Sequence, residues 1–257
     1  MVLHPAVIFF PEIPMRTVIG ALALLLAAMC SHAQQIPSGT LLPTMLDNTL
    51  DSNKTKPGEE ISAKLMQDVP LADGTKLKRD AKVLGHVVAV VRSPSGRQAT
   101  ISVQFDRIGF EKQTVSISVG HRALASMEAV ALAKEPINSG YGTSVWDWNM
   151  RQIGGQIAFN GDKIVKSQTG QVVGKVSQPG AVLAIPMANP ARGCAGASGN
   201  TAEQAFWVFS TDACGLYDEK NMTFVSGIGG ATPGQVVLQS PKSVEVRGGS
   251  GWLLQVN

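Results

Sequence analysis

Histidine, cysteine and aromatic residues are scarce in this sequence, and each shortage closes a route to function. The 257 residues include four histidines, of which only His86 and His121 lie beyond residue 33. No His-x-x-x-His or Cys-x-x-Cys spacing occurs, so no zinc-site pattern is present and no metal or cofactor is implied. His86, in an apolar stretch, reads as a structural residue. Gly196-Ala197-Ser198-Gly199 and Gly249-Ser250-Gly251 both miss the spacing of a hydrolase nucleophile elbow, and Ser62-Ala63-Lys64 misses that of penicillin-recognising enzymes. Gly227-Ile228-Gly229-Gly230 leads into Thr232-Pro233-Gly234 and a strand-like run, so no helix N-terminus follows to hold phosphate. A Ser-His-Asp triad stays open because its members need not be adjacent, and Asp147, Asp162, Asp212, Asp218 and Glu219 are candidate paired carboxylates in number only. The balance leans away from an enzyme.

Charge is also sparse. Charged residues make up 16% of the chain and the net charge is +3, with no basic run that would mark a nucleic-acid partner. Lys76, Lys78, Arg79 and Lys82 form the closest cluster and read as a solvated strand edge. Aromatics are 5%, so the core must rest on Val, Ile, Leu and Ala, and the β-branched share of these favours strands.

What the sequence does have begins near its start. Residues 18–29 are an unbroken apolar run of 12 residues, preceded by Arg16 and followed by Ser31-His32-Ala33. That is the pattern of a secretory signal, too short for the ~20 residues of a spanning helix. Residues 1–33 are therefore expected to be cleaved, with Met15 read as the true start and Gln34 as the first mature residue. The mature protein is expected in the periplasm or outside the cell. Cys30, after Ala27-Ala28-Met29, offers a competing lipoprotein reading, in which acylation would tether the chain to a membrane. Signal cleavage leaves Cys194 and Cys214, an even pair that in an exported chain predicts one disulfide closing a 20-residue loop.

The remaining pattern predicts a mainly β protein: an antiparallel β-barrel or sandwich, one short helix and a C-terminal β-meander. Residues 34–120 are read as an N-terminal β-domain. Ile61, Ala63 and Leu65 alternate with Glu60, Ser62 and Lys64, and Ile101, Val103 and Phe105 alternate with Thr100, Ser102 and Gln104. Short turns between such runs favour antiparallel pairing. Residues 121–137 are read as a helical connector, with Ala123, Leu124, Met127, Val130, Ala131 and Lys134 at helical spacing (121–134) and Pro136 ending it. Residues 138–257 are read as a C-terminal β-region whose strands near 222–225, 235–238, 243–246 and 252–256 complete the meander.

Within 138–150, Tyr141, Trp146 and Trp148 surround Asp147. Such a loop is suited to stacking sugar rings while the carboxylate accepts hydroxyl protons. If the segment is a strand, Trp146 and Trp148 instead point the same way and form a buried pair with Asp147 in solvent.

Ile36-Pro37-Ser38-Gly39-Thr40, Thr49-Leu50-Asp51-Ser52, the alternating 61–69 run and Leu84-Gly85 with Val87-Val88 together resemble the C-terminal β-barrel module of outer-membrane core-channel proteins of type IV (conjugation) secretion systems. The resemblance covers residues 36–120. A second Ile-Pro-x-Gly of that family is replaced here by Leu77-Lys78-Arg79-Asp80, and the family's Pro-rich spacer is missing. The resemblance implies a shared β-fold in an envelope setting. The chain as a whole resembles a family of exported bacterial β-proteins, which implies no activity. Three functions are therefore expected in order: a non-enzymatic binding or assembly module of the cell envelope with an envelope protein or glycan as partner; a carbohydrate- or peptidoglycan-binding protein using Tyr141, Trp146, Asp147 and Trp148; and a subunit of a secretion-channel-like assembly.

Overall fold

A computed structural model describes residues 36–93, 98–138, 140, 142–187, 200–226 and 234–257. The expected signal segment, Cys30, Tyr141 and Cys194 lie outside the described residues. Residues Ile36–Asn257 form one compact unit.

The chain runs through β1 (Leu41–Leu46), β2 (Leu50–Asp51), β3 (Glu60–Leu65), β4 (Val69–Pro70), β5 (Lys76–Leu77), β6 (Lys82–Val91), β7 (Ala99–Phe110), β8 (Gln113–Ser116) and β9 (Val119–Ala125) before the helix α1 (Met127–Lys134). It continues through β10 (Asn149–Arg151), β11 (Ile157–Phe159), β12 (Ile164–Lys166), β13 (Val172–Gln178), β14 (Ala181–Ala184) and β15 (Gln204–Ala205). The last elements are β16 (Gly215–Tyr217), β17 (Thr223–Ser226), β18 (Gln235–Ser240), β19 (Glu245–Val246) and β20 (Gly251–Val256).

A ten-stranded sheet takes the order β16-β9-β20-β1-β3-β6-β7-β18-β17, with β8 added on β7. All its pairs are antiparallel except β16 beside β9, where Gly215 faces Ala123. The sheet rolls up. Phe105 on β7 meets Trp252 on β20 edge to face at 5.2 Å, and His121 on β9 meets Phe224 on β17 at 4.1 Å, although neither pair of strands is adjacent. The expected barrel does not close: among the described residues no ladder joins β9 or β16 to β17. A fully closed sheet needs a continuous ring of backbone bonds, and here side-chain packing spans the gap instead. The roll tolerates one very tight approach at the β6 irregularity, where a Cβ on Gly85 would run into the backbone of Gln104.

The meander lies in mid-chain rather than at the C-terminus. It is the six-stranded sheet β10-β11-β12-β13-β14-β15, each strand pairing antiparallel with the next. The strands expected to complete a C-terminal meander instead return to the large sheet, where β20 inserts between β1 and β9, while β19 pairs with β2.

Two cores explain this arrangement. Leu42, Leu46, Phe105, Leu124, Trp252 and Leu254 belong to the first, inside the roll. Leu41, Ala123, Ala125 and Leu253 face the other way and join Val130 of α1 with Val165, Val182, Phe206 and Phe209 in a second core against the six-stranded sheet. All seven residues of β9 and all six of β20 are buried. A strand buried on both faces loses period-two alternation, which corrects the expected helix over 121–134. Residues 119–125 are strand, and α1 starts only at Met127, capped by Ser126, whose Oγ accepts the Ala129 N–H at 3.0 Å.

Buried glutamines tie the six-stranded layer to the roll. Gln67 donates to the Val182 carbonyl at 3.0 Å and accepts from the backbone N–H groups of Val182 at 3.1 Å and Trp207 at 2.7 Å. Gln204 accepts from the Leu41 N–H at 3.0 Å. Such pins satisfy backbone groups that the second core would otherwise strand away from water. Buried Arg122 does the same for the 211–213 turn, donating to the carbonyls of Ala213 and Thr211, each at 3.1 Å.

Candidate functional site

The 138–150 segment is a turn held from both sides. Val145–Asp147 is a single 3-10 turn whose cap, Ser144, accepts the Trp146 N–H. Asn138 donates to the Asp147 carbonyl at 2.9 Å and accepts from the Asn149 N–H at 2.6 Å. From the facing hairpin, Asn160 donates through its side chain to the Val145 carbonyl at 2.8 Å and through its backbone to that of Trp148 at 3.1 Å. The turn is therefore held by Asn138 and Asn160, which bond the Val145, Asp147 and Trp148 carbonyls, a role for which short amides are suited.

This geometry bears on the expected buried pair of tryptophans. A 3-10 turn does not place residues two apart on one face as a strand does, so the buried-pair reading fails. Trp146 is 47% exposed, and Lys163 Nζ stands 6.0 Å from its ring centre. Asp147 is exposed and Trp148 is half-buried. The Trp148 indole Nε1 is buried without a hydrogen-bond partner among the described residues. Val145 and Ile137 add exposed apolar surface to the turn and its approach. On the adjoining strands, Lys166 Nζ lies 5.1 Å from the Phe159 ring. The structure thus brings Trp146, Asp147 and Trp148 together on one fixed turn, and Tyr141 lies outside the described residues.

Other candidates have ordinary explanations. His86 Nδ1 meets Asp106 Oδ2 at 2.9 Å, and Arg107 Nε donates to Asp106 Oδ1 at 2.9 Å. No serine, threonine or cysteine bonds to His86 among the described residues, where it forms a half-exposed pair with Asp106 on the β6–β7 surface. Lys76 is held by Asp68 at 2.5 Å, and both charged forms are favoured by the contact. Among the described residues no His, Cys, Asp and Glu side chains are grouped to share a metal ion, and no helix is long and apolar enough to cross a membrane. Cys214 is buried, its N–H donating to the Tyr217 hydroxyl at 3.1 Å.

The sequence patterns missed a cleft of about 480 Å³ at the N-terminal end of α1, lined by Glu128, Asp218, Glu219, Glu245, Arg247 and Ser250, among others. Ser126 Oγ donates to Asp218 at 2.9 Å, and Arg247 bridges Glu128 at 2.9 Å and Glu245 at 3.2 Å. Burial, reinforced by the neighbouring acids Asp218, Glu128 and Glu245 and opposed by Arg247, pushes the Glu219 carboxyl up to about 7. Asp218-Glu219 was visible as an adjacent acidic pair, but its partners come from α1 and from the 245–250 stretch. Only the insertion of β20 beside β9 assembles them. No protein-family model matches the chain, and no curated protein matches it.

Proposed function

We propose that the protein is a non-enzymatic, exported binding module of the bacterial cell envelope, and that its binding element is the Trp146-Asp147-Trp148 turn, taking a glycan such as peptidoglycan, with Tyr141 a further candidate from the sequence. The observation that carries the reading is the exposure of Trp146 on a turn held by Asn138, Ser144 and Asn160. An indole left in water at 47% exposure contributes little to folding, whereas a pre-ordered one stacks on the apolar face of a sugar at small entropic cost. Asp147 and Lys163 flank it with an acceptor and a donor for ring hydroxyls.

The short apolar run at 18–29 supports export to the periplasm or beyond. The pairing of Cys194 with Cys214 belongs to the same proposal, since an oxidising compartment favours a disulfide. Lipidation at Cys30 is the only membrane association within it. The test is pull-down on purified sacculi. Wild-type protein is retained, whereas Trp146→Ala passes through while melting within about 2 °C of wild type, as expected for an exposed side chain, and Trp148→Ala, which also removes a half-buried ring, passes through at a lower melting temperature. Equal retention of Trp146→Ala would overturn the reading.

The second reading, a secretion-channel-like assembly, rests on the resemblance of residues 36–120, whose strands all contribute to the rolled sheet or its small flanking ladders. It predicts ring-shaped oligomers in detergent extracts, and a monomer by size-exclusion argues against it.

A further inference from the structure

The cleft at the start of α1 is not used by the aromatic turn, and its make-up is specific. Four acids and two bases line it, the bases being Arg247 and Lys220. Arg247 is engaged by Glu128 and Glu245, and Asp218 accepts the Ser126 hydroxyl proton. Glu219 makes no hydrogen bond or ion pair among the described residues. The same cleft is lined by Ser250, which is 1% exposed and whose Oγ has no partner among the described residues. A buried hydroxyl without a partner is costly and calls for a group to fill it. Met127, 38% exposed, lines the cleft as well and gives it an apolar wall.

We propose that this cleft binds an organic cation, the primary ammonium of a lysine-like aminoalkyl chain, with Asp218 and Glu219 as its counter-charges, the Ser250 hydroxyl as a hydrogen-bond acceptor and Met127 against its methylene stem. A bare metal ion suits the site poorly, because the acids are not grouped for shared coordination among the described residues. A space of about 480 Å³ also exceeds what an ion needs and accommodates an alkylammonium chain. The groups facing Glu219 are Asp218 and Lys220 on its own segment, Glu128 on α1, and Glu245 and Arg247 from the stretch at β19. Their balance keeps Glu219 protonated below neutrality, so an entering ammonium displaces a proton there and binding strengthens as pH rises through about 7.

The experiment titrates the chain from Gln34 onward with Nα-acetyl-lysine amide, followed by NMR chemical shifts at pH 6 and pH 8. Wild type binds saturably, about tenfold tighter at pH 8, as expected for one carboxylate ionising between the two. At pH 8 Glu219→Gln binds about tenfold more weakly than wild type, and it shows no pH dependence; Ser250→Ala weakens binding, and the uncharged norleucine analogue does not bind. Glu219→Gln is isosteric and its melting temperature is measured alongside; should it fail to fold, Asp218→Asn and the wild-type pH profile give the same readout. The proposal is overturned by absence of saturable shifts in wild type at pH 8, by equal binding of the norleucine analogue, by Glu219→Gln binding as wild type, or by calcium chloride occupying the site in place of the amine.

Discussion

Acid should destabilise this protein through one buried imidazole, and the size of the effect follows from where His121 sits. It is 2% exposed inside the roll, edge to face with Phe224 at 4.1 Å and with Trp252 at 5.6 Å, and its Nδ1 accepts the Trp252 indole N–H. Burial lowers its pKa from the ordinary 6.5 to about 3. The unfolded chain takes up a proton at 6.5 and the folded one only near 3. Stability is therefore intact above pH 6.5 and is lost as pH falls, by about 1.4 kcal/mol per unit, or ~2.7 kcal/mol at pH 4.5. That is a large share of the ~5–15 kcal/mol of a typical domain. Glu219 works in the opposite sense. Its folded carboxyl, raised from 4.5 to about 7, holds its proton longer than the unfolded one, so stability rises as pH falls through 7 toward 4.5. Solvent screening at its half-open position makes this the smaller effect. Asp51 and Asp68 have lowered values and act only below the usual carboxylate range. The clean comparison is Glu219→Gln against Glu219→Gln with His121→Gln, since glutamine keeps an acceptor for Trp252. Urea unfolding from pH 7 to 4.5 should show the single variant losing about 2–3 kcal/mol more than the double. Parallel profiles would refute a neutral, desolvated His121.

Further outcomes follow from the same packing. Gln67→Met takes the side-chain acceptor from the buried Val182 and Trp207 N–H groups, while the Val182 carbonyl keeps the Phe206 N–H; thermal unfolding should register a loss of about 3 kcal/mol. Ending the chain before Gly251 removes a strand buried on both faces between β1 and β9, and soluble, cooperatively melting protein should not be recovered. Cys214→Ser should lower stability by up to ~3 kcal/mol if the 20-residue loop is closed by Cys194. Mass spectrometry of the alkylated wild type, showing both thiols labelled, would contradict that pairing.

Strands with one wet face were legible because alternation survives there: β7 buries Ile101, Val103 and Phe105 as its pattern demands. Val119–Ala125 was not legible, because burial on both faces erases the period and leaves Ala123 and Leu124 at a spacing that suits a helix equally well. Strand order was hidden for a different reason. Neighbouring turns favour sequential pairing, whereas β20 reaches its place through contacts with β1 and β9 far away in the chain, which local pattern does not encode. For the site, the tryptophans were visible by composition, but their exposure depends on Asn138 and Asn160, which are unremarkable in sequence. The acidic cleft depends on three separated stretches meeting and left only the Asp218-Glu219 pair as a trace.

The central claim is that the Trp146 turn is the binding surface, and the four indole N–H signals of a heteronuclear NMR spectrum test it most directly. On addition of soluble peptidoglycan fragments, the signals of Trp146 and Trp148 should shift saturably while those of buried Trp207 and Trp252 stay in place. Saturable binding that leaves the Trp146 and Trp148 signals unmoved, or no binding of any fragment retained in sacculi, would contradict the account.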